Sequence, residues 1–376
     1  MTRRDRLLAT LRGEPVDRLA VSFYEIGGFA VNPADPDPFN IYNSPTWQPL
    51  LQLAEEQTDL IRMRAPVVHR SPPHPAAEFW RTEEFLKDGA RFQRTTVQIA
   101  GRTLSALTRR EPAVNTVWTL EHLLKGEEDL RAYLELPDDV TPPTVEVAPL
   151  LTEERELGDR GIIMVDTPDP LCLAAGLFSM EDYTVLAFTQ RELFHRLLEK
   201  LARPLHAQTE ITAREFPGHL WRIYGPEYAT EPYLPPELFA EYVVRYTGPM
   251  VRLIQSHGGF ARIHCHGRIR NVLPLICQMG ASAIDPLEPP PQGNIPLAEV
   301  RRNFGRELAL FGNLEIADIE NRPPAEFEKI VAQSLRDGTT GPGRGFVLMP
   351  SAAPYGRVIT PQTMANYETM VRLVTQ

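Results

Sequence analysis

The sequence predicts one α/β domain over residues 1–376, a (β/α)8 TIM barrel with N-terminal helices and a small antiparallel hairpin insertion. From about residue 160 onward, short apolar runs alternate with segments of helical spacing, which is typical of a parallel sheet. Two earlier apolar runs bring the strands to about eight, the number that closes such a barrel. The chain length of 376 residues fits a single α/β barrel, and an open doubly wound sheet is the alternative.

The region before residue 160 contains the predicted N-terminal helices and the insertion. Residues 91–107 alternate with period two on both sides of a turn at Gly101, which predicts a hairpin, and we place the insertion at about residues 84–112. The other predicted elements are a helix at 4–11, a strand at 19–24, a glycine-containing loop at 25–28, a helix at 47–56, a strand at 59–63 and a helix at 120–134.

The region after residue 160 contains six predicted strand–helix units. Each apolar run is short and is followed by a longer segment of helical spacing, which implies that the strands are parallel. The predicted strands are 161–165, 220–224, 260–264, 281–284, 308–311 and 345–349. The predicted helices are 181–201, 236–256, 272–279, 297–304, 324–336 and 361–374.

Composition excludes several classes of function. A net charge of -10 argues against a nucleic acid or an acidic membrane as partner. No stretch approaches the ~20 apolar residues of a membrane span. Three cysteines provide no disulfide framework, so a reducing cytoplasm is the expected location. We expect a small-molecule substrate, and a homodimer remains an open alternative to a monomer.

The ends of the predicted strands carry an unusual set of polar residues. In a barrel, the active site is built from the C-terminal ends of the strands, which lie at one rim. We predict substrate-binding roles for Tyr24, Glu25, Tyr224, Asp285 and Asn313, and catalytic roles for Asp166, Glu227 and Glu288. The alternatives are structural: Asp166, Asp285 and Asn313 suit caps or turns, and the tyrosines suit core packing.

His264 and His266 form the sharpest motif in the chain. Two residues apart at a strand end, their side chains point to the same side, where they can share one metal ion. Glu227 is the nearest candidate for a third ligand, and Glu288 is the next. The alternative is that both histidines only bond carboxylates or substrate. Cys265, between them, should face the other way as a packed thiol.

Several segments resemble the uroporphyrinogen decarboxylase superfamily, which also contains the methyltransferases of cobalamin-dependent systems. Residues 6–18 are similar to the superfamily's start, and residues 345–351 with Thr360-Pro361 are similar to its last strand and helix. Residues 169–174 fall where the family has a Pro-Phe-Thr-Leu-type segment. His264-Cys265-His266-Gly267 falls on the methyltransferases' His-X-Cys-Gly, and Gly312-Asn313-Leu314-Glu315 is similar to the decarboxylases' Gly-Asn-Leu-Asp. The resemblance covers nearly the full length and implies the barrel fold.

The departures from the family patterns bear on function. The decarboxylases carry an N-terminal Arg-Gln-Ala-Gly-Arg segment that grips substrate carboxylates, whereas residues 23–29 contain no arginine, and the family's late histidine is replaced around residues 351–353. The methyltransferases hold zinc with the histidine and cysteine of His-X-Cys and with a later cysteine. The first of these cysteine positions corresponds here to His266, and the later one corresponds to Ala352. Residues 117–125 are similar to the O-demethylating branch. The resemblance therefore implies zinc held by His264, His266 and a carboxylate such as Glu227.

The function implied by the resemblance is that of a corrinoid-linked methyltransferase. Zinc would bind a methoxy or similar oxygen, and the methyl group would pass to cobalt in a separate corrinoid protein docked at the barrel mouth. Glu227 or Glu288 would complete the metal site or act as general acid. Two alternatives remain: a decarboxylase of a smaller acid that uses Asp166 and the histidine pair without metal, and a non-catalytic relative that binds a corrinoid, a tetrapyrrole or a partner protein.

Overall fold

The computed structural model describes residues 1–70, 73–138 and 142–375 of the chain. Its strands are β1 (Ala20–Val21), β2 (Leu60–Arg64), β3 (Val67–His69), β4 (Trp80–Lys87), β5 (Ala90–Ile99), β6 (Arg102–Arg110), β7 (Val117–Glu121), β8 (Thr144–Glu146), β9 (Gly161–Pro168), β10 (Leu220–Tyr224), β11 (Phe260–His264), β12 (Ala283–Asp285), β13 (Ala309–Leu314) and β14 (Phe346–Pro350).

The α-helices surround the parallel strands. They are α1 (Arg3–Arg12), α2 (Tyr24–Gly27), α3 (Gln48–Gln57), α4 (Glu127–Leu134), α5 (Ala148–Leu157), α6 (Pro170–Ala175), α7 (Met180–Thr189), α8 (Arg191–Glu215), α9 (Pro236–Phe239), α10 (Arg245–Ser256), α11 (Leu273–Gln278), α12 (Leu297–Phe304), α13 (Ile316–Asn321), α14 (Pro324–Thr339) and α15 (Pro361–Thr375). A π-helical turn over Ala240–Val244 joins α9 and α10.

The parallel strands form one curled sheet, as the sequence predicts. Within the described ranges, eight strands follow the order β1-β14-β13-β12-β11-β10-β9-β2, and every pair in this order is parallel. The edge strands β1 and β2 meet where the Asp59 N–H donates to the Val21 carbonyl oxygen at 2.7 Å. The fold is therefore α/β and TIM-barrel-like, and the prediction of this class is confirmed.

Period-two alternation along the strands separates two apolar layers. Met164 and Val347 belong to the layer inside the curled sheet, whereas their neighbours Val165 and Leu348 belong to the layer between the sheet and the helices. Because both faces of a parallel strand are buried, the strands read as continuous apolar runs. This pattern made the second half of the chain predictable.

The first strand is shorter than predicted. The run predicted as a strand at 19–24 forms strand only over Ala20–Val21, and the predicted loop at 25–28 lies largely in helix α2. A short buried apolar run does not by itself distinguish strand from helix. A Cβ atom at Gly28 would lie 2.0 Å from the Tyr24 carbonyl oxygen, so this close return of the chain requires glycine.

The antiparallel region is larger than the hairpin predicted at about 84–112. Strands β4, β5, β6 and β7 form a four-stranded antiparallel sheet over residues 80–121, with the predicted hairpin at its centre. The helix predicted at 120–134 is correct only from Glu127 onward, because Val117–Glu121 forms an edge strand. None of the helices in the described ranges is both long and apolar enough to cross a lipid bilayer.

Candidate active site

The interior face of the barrel changes from apolar to charged toward the C-terminal ends of neighbouring strands. In β9, Met164 is followed on the same face by Asp166, and in β10 Leu220 is followed by Arg222. Strand register then aligns two successive polar rows, first Asp166, Arg222 and Arg262, and beyond them Tyr224, His264 and Asp285. These rows place charge at the end of the barrel where the active sites of such folds lie.

The inner histidine pair joins His264 to Asp285. The His264 Nδ1 lies 2.8 Å from Asp285 Oδ2, and Arg262 Nε lies 3.0 Å from Asp285 Oδ1. All three side chains are almost inaccessible to water, and the Arg262 guanidinium lies over the Tyr24 and Phe311 rings at 4.6 and 5.0 Å. The Tyr24 hydroxyl also lies 3.2 Å from Asp285 Oδ2 and shares its single hydrogen between Asp285 and Glu25.

Burial fixes the protonation of the inner pair. Desolvation lowers the pKa of His264 to about 4 despite the charge of Asp285. Burial opposes ionisation of Asp285 as well, but the charges of Arg262 and His264 hold its pKa well below the ordinary value. At neutral pH, a carboxylate that can only accept therefore faces a neutral imidazole, which must carry its proton on Nδ1. The His264 Nε2 is left with a free lone pair.

The outer histidine pair joins His266 to Glu288. The His266 Nδ1 lies 2.8 Å from Glu288 Oε1, and the Gly267 N–H donates to Glu288 Oε2 at 2.6 Å. Burial opposes the charged form of His266, but the hydrogen bond to Glu288 and the charges of Glu288 and Glu227 raise its pKa to about 9. The two imidazole rings lie 4.6 Å apart, edge to face. One neutral and one protonated imidazole are therefore neighbours.

Arg222 connects the other predicted residues to this network. Its Nη1 donates to Asp166 at 3.0 Å, its Nη2 lies 3.8 Å from Glu25, and its guanidinium lies 5.0 Å from the centre of the Tyr224 ring. Glu25 also accepts from the Tyr24 hydroxyl at 2.9 Å. Desolvation raises the pKa of Asp166, although Arg222 acts in the opposite direction.

A cavity of about 450 Å³ opens beside the outer pair. Its lining includes Glu227, Tyr228, Tyr233, His266 and Arg268. Glu227 Oε2 accepts from the Gly225 N–H at 3.0 Å, and burial raises the pKa of Glu227. The volume lies within the range typical of small-molecule sites. The mouth thus combines a cavity with groups that can accept or donate protons.

A second cavity of about 460 Å³ lies away from the strand ends. It is lined by His74, Trp80, Tyr133 and Lys200 among others, and Lys200 forms an ion pair with Asp138. Because its lysine is already paired and no second histidine lines it, we regard the mouth as the better candidate for chemistry.

The structure brings nine of the ten predicted site residues to the mouth. They are Tyr24, Glu25, Asp166, Tyr224, Glu227, His264, His266, Asp285 and Glu288. Asn313 is used elsewhere: its Oδ1 accepts from the Ser334 hydroxyl of α14 at 2.6 Å, so its predicted substrate contact has no support from the geometry. The catalytic and binding roles of the predicted site residues stay predictions.

Arg222 and Arg262 are the site residues that the sequence reasoning missed. Each stands two residues before a predicted site residue on the same strand face, Arg222 before Tyr224 and Arg262 before His264. A charged residue in the middle of an otherwise buried barrel strand is rarely tolerated without a partner. This exception to the apolar pattern was the available signal.

Comparison with known proteins identifies the family. The family profile described as Uroporphyrinogen decarboxylase (URO-D) matches residues 114–376, which is more than half of the chain. This chain belongs to the URO-D family. The matched residues of this URO-D chain include both histidine–carboxylate pairs, Arg222 and the lining of the mouth cavity. Tyr24 and Glu25 lie before the matched region.

Solved structures support the fold of this URO-D chain. A methyltransferase from Methanosarcina mazei superposes with a TM-score of 0.60 over 99% of this chain and 98% of that one, at 15% sequence identity. At that identity the likeness concerns the fold alone. Among curated proteins, none matches the chain.

The two histidines that the sequence predicts as zinc ligands each bond a carboxylate. A carboxylate on each Nδ1 is the arrangement that orients metal-binding histidines, and each of these carboxylates bonds Nδ1 and not Nε2. However, within the described ranges no three His, Cys, Asp or Glu side chains are grouped closely enough to hold a metal ion. The charge of Glu227 raises the pKa of His266, but the Glu227 carboxylate does not form one set of metal ligands with the two histidines. The donor set does not fit zinc in this arrangement, and zinc stays a prediction.

Proposed function

We propose that this URO-D family chain is a methyltransferase that moves a methyl group from a small methylated substrate to a corrinoid carried by a partner protein. A methoxylated compound is the substrate form that the sequence favours. The observation that carries the proposal is the pair of carboxylate-anchored imidazoles at the barrel mouth, His264 and His266, beside a cavity that also contains Glu227. Family membership is consistent with this proposal, because the superfamily includes such enzymes.

The residues of the mouth would divide the work. When a methyl group leaves a methoxy substrate, the electrons of the carbon–oxygen bond stay on oxygen, which then needs a proton. Glu227 and His266 both line the cavity, and either can donate that proton. Asp285 and Glu288 hold the two imidazoles in place and act as positioning residues. No step in this account depends on the predicted zinc.

The test is methyl transfer to free reduced cobalamin, followed by the absorbance of methylcobalamin while methylated donors are varied. With methoxylated donors, we expect His266→Gln to lower the rate by roughly 100-fold or more, the usual size of an acid–base contribution. His69→Gln is a matched control, because His69 also bonds a glutamate, Glu146 at 3.0 Å, but on an exposed surface. No methyl transfer from any donor would refute the proposal, and equal rates in both variants and the wild type would refute the acid role of His266.

A second candidate function is decarboxylation of a small acid. The observation that favours it is Arg222, a cation at the mouth beside Asp166 that could hold a substrate carboxylate. Release of carbon dioxide from a small acid without added metal, abolished by Arg222→Gln, would establish this function instead. Methyl transfer without such release would exclude it.

A further inference from the structure

Among the residues that the structure describes, three charged side chains of the mouth cavity form no salt bridge: the carboxylates of Glu227 and Glu231 and the guanidinium of Arg268. Within the described ranges, neither Glu227 nor Arg268 forms a salt bridge, and Arg268 makes no side-chain hydrogen bond. Glu227 accepts the Gly225 N–H and is half-buried, whereas Arg268 is exposed at the rim. Glu231, the other carboxylate of the lining, already accepts a hydrogen bond from Asn271 at 2.7 Å.

The neighbouring charges of the mouth are already compensated. Arg262 is paired with Asp285, and His266 is paired with Glu288. Arg222 is paired with Asp166. The charged groups of the lining that form no salt bridge are therefore two carboxylates and one guanidinium, and the charge of His266 acts on Glu227 without a direct contact. A partly buried carboxylate that no cation contacts is costly, so a ligand that supplies a positive charge gains by binding there.

Two tyrosines complete the lining on the side of Glu227. Tyr228 follows it directly in sequence, and Tyr233 lies in the same loop with 40% of its surface exposed. Faces of tyrosine rings attract organic cations, above all methylated ammonium groups that carry a diffuse charge. The cavity thus offers tyrosine side chains and a carboxylate to a cation, and a guanidinium to an anion.

We propose that the mouth cavity binds a small zwitterion of the N-methylated amino acid class. The methylated ammonium group lies against Glu227 and the tyrosines, and the carboxylate of the ligand pairs with Arg268. This inference rests on the proposed function, because it names the class of methyl donor. It replaces the methoxy donor with an ammonium donor.

An ammonium donor also suits the chemistry of the mouth. When the methyl group leaves, the electron pair of the carbon–nitrogen bond stays on nitrogen, and the product is a neutral tertiary amine. The methyl carbon forms its new bond with the electron pair of the reduced cobalt acceptor. No proton has to be delivered, so this donor does not require the acid that a methoxy donor needs. Glu227 would then stabilise the positive charge of the donor.

Three ligands of nearly equal shape test the contributions of the ligand's positive charge and negative charge separately. Glycine betaine carries both charges, 3,3-dimethylbutanoate replaces the ammonium nitrogen with carbon, and choline replaces the carboxylate with a hydroxymethyl group. Titration calorimetry on the purified full chain should show glycine betaine binding at least tenfold more tightly than either analogue. Tenfold corresponds to about 1.4 kcal/mol, the size of one desolvated charge contact.

Two variants test which residue recognises each charge of the ligand. Glu227→Gln should remove the preference for glycine betaine over 3,3-dimethylbutanoate, and Arg268→Gln should remove the preference over choline. Arg306→Gln is a matched control, an exposed arginine outside the cavity lining. Thermal unfolding of each variant checks that the fold is kept.

The outcomes separate this inference from the proposed function. Equal binding of all three probes, or selectivity that survives both variants, would overturn the zwitterion site. Methyl transfer from a methoxy donor without betaine binding would overturn it too and leave the methyltransferase proposal standing. Selective betaine binding with both variant effects, but without methyl transfer, would support the site and refute the methyltransferase.

Discussion

The two histidine–carboxylate pairs of the mouth have the same contact and opposite properties. In both, Nδ1 lies 2.8 Å from a carboxylate oxygen. The inner pair has side-chain exposures of 4% for His264 and 0% for Asp285, whereas the outer pair has 35% for His266 and 11% for Glu288. The pKa of the inner imidazole falls to about 4 and that of the outer imidazole rises to about 9.

Because both imidazoles make the same 2.8 Å contact, their different surroundings account for the opposite pKa shifts. Around His264, desolvation is dominant, and the positive charge of Arg222 further disfavours a second cation. Around His266, water still reaches the ring, and the carboxylates of Glu288 and Glu227 favour the charged form. The inner pair is therefore suited to hold geometry, and the outer pair to meet a ligand.

The largest expected effect comes from removing the cation beneath the inner pair. Arg262→Leu leaves Asp285 buried and charged without its arginine, which should lower the free energy of unfolding by about 3–5 kcal/mol. Urea denaturation followed by circular dichroism measures this loss. Arg268→Leu, at the exposed rim, should change stability by only about 0.5 kcal/mol. Similar losses in both variants would mean that the inner pair is not specially dependent on its surroundings.

A smaller effect should appear in how the free energy of unfolding depends on pH, because the two pairs should differ in that dependence. The folded-state pKa of His266 lies above the ordinary 6.5, so its protonated form stabilises the fold below pH 6.5, and this contribution disappears as pH rises toward 9. Glu288→Gln should therefore cost about 1 kcal/mol at pH 6, allowing for exposure to water, and less above pH 9. Unfolding free energies measured from pH 5 to 10 test this, and a pH-independent difference would contradict it.

His264 should show the opposite dependence. Its folded-state pKa lies below 6.5, so the stability linked to its neutral form is complete above pH 6.5 and is lost as pH falls toward 4. Nitrogen chemical shifts of the imidazole rings report both protonation states directly. We expect a neutral His264 and a protonated His266 at pH 7. Two rings that titrate together near pH 6.5 would eliminate the contrast.

An effect of similar size concerns the hydroxyl that supports the inner pair. Tyr24→Phe removes a donor to both Glu25 and Asp285 and should cost about 0.5–1.5 kcal/mol, the usual net value of such a hydrogen bond. Tyr355→Phe, on an exposed tyrosine, is the control and should leave stability unchanged. Unfolding midpoints in denaturant distinguish the two, and a neutral Tyr24→Phe would show that the ring alone supports Arg262.

The sequence predicted the parallel half of the fold better than the antiparallel part. Strands buried on both faces leave unbroken apolar runs, and the helices between them have a clear period of 3.6. In the antiparallel sheet, β7 is an exposed five-residue edge strand, and its last two residues were included in the helix predicted at 120–134. The rule that active sites follow strand ends located most of the mouth residues.

What the sequence could not supply was pairing across strands. Arg222 lies 56 residues from Asp166, and their contact depends on strand register, which no local pattern records. The contact of Asn313 was unpredictable for a similar reason, because its bond to Ser334 of α14 depends on how that helix packs against the sheet. Contacts within one strand end, such as the shared face of His264 and His266, were the predictable part.

The most direct test of the account is a titration of the histidine ring nitrogens with the tightest-binding methyl donor. Because the donor should bind beside the outer pair, we predict that the His266 signals shift strongly and that those of His264 shift slightly. His74, which lines the second cavity, should stay unchanged. Shifts confined to His74, with His266 unaffected, would place the ligand in the other cavity and contradict the account.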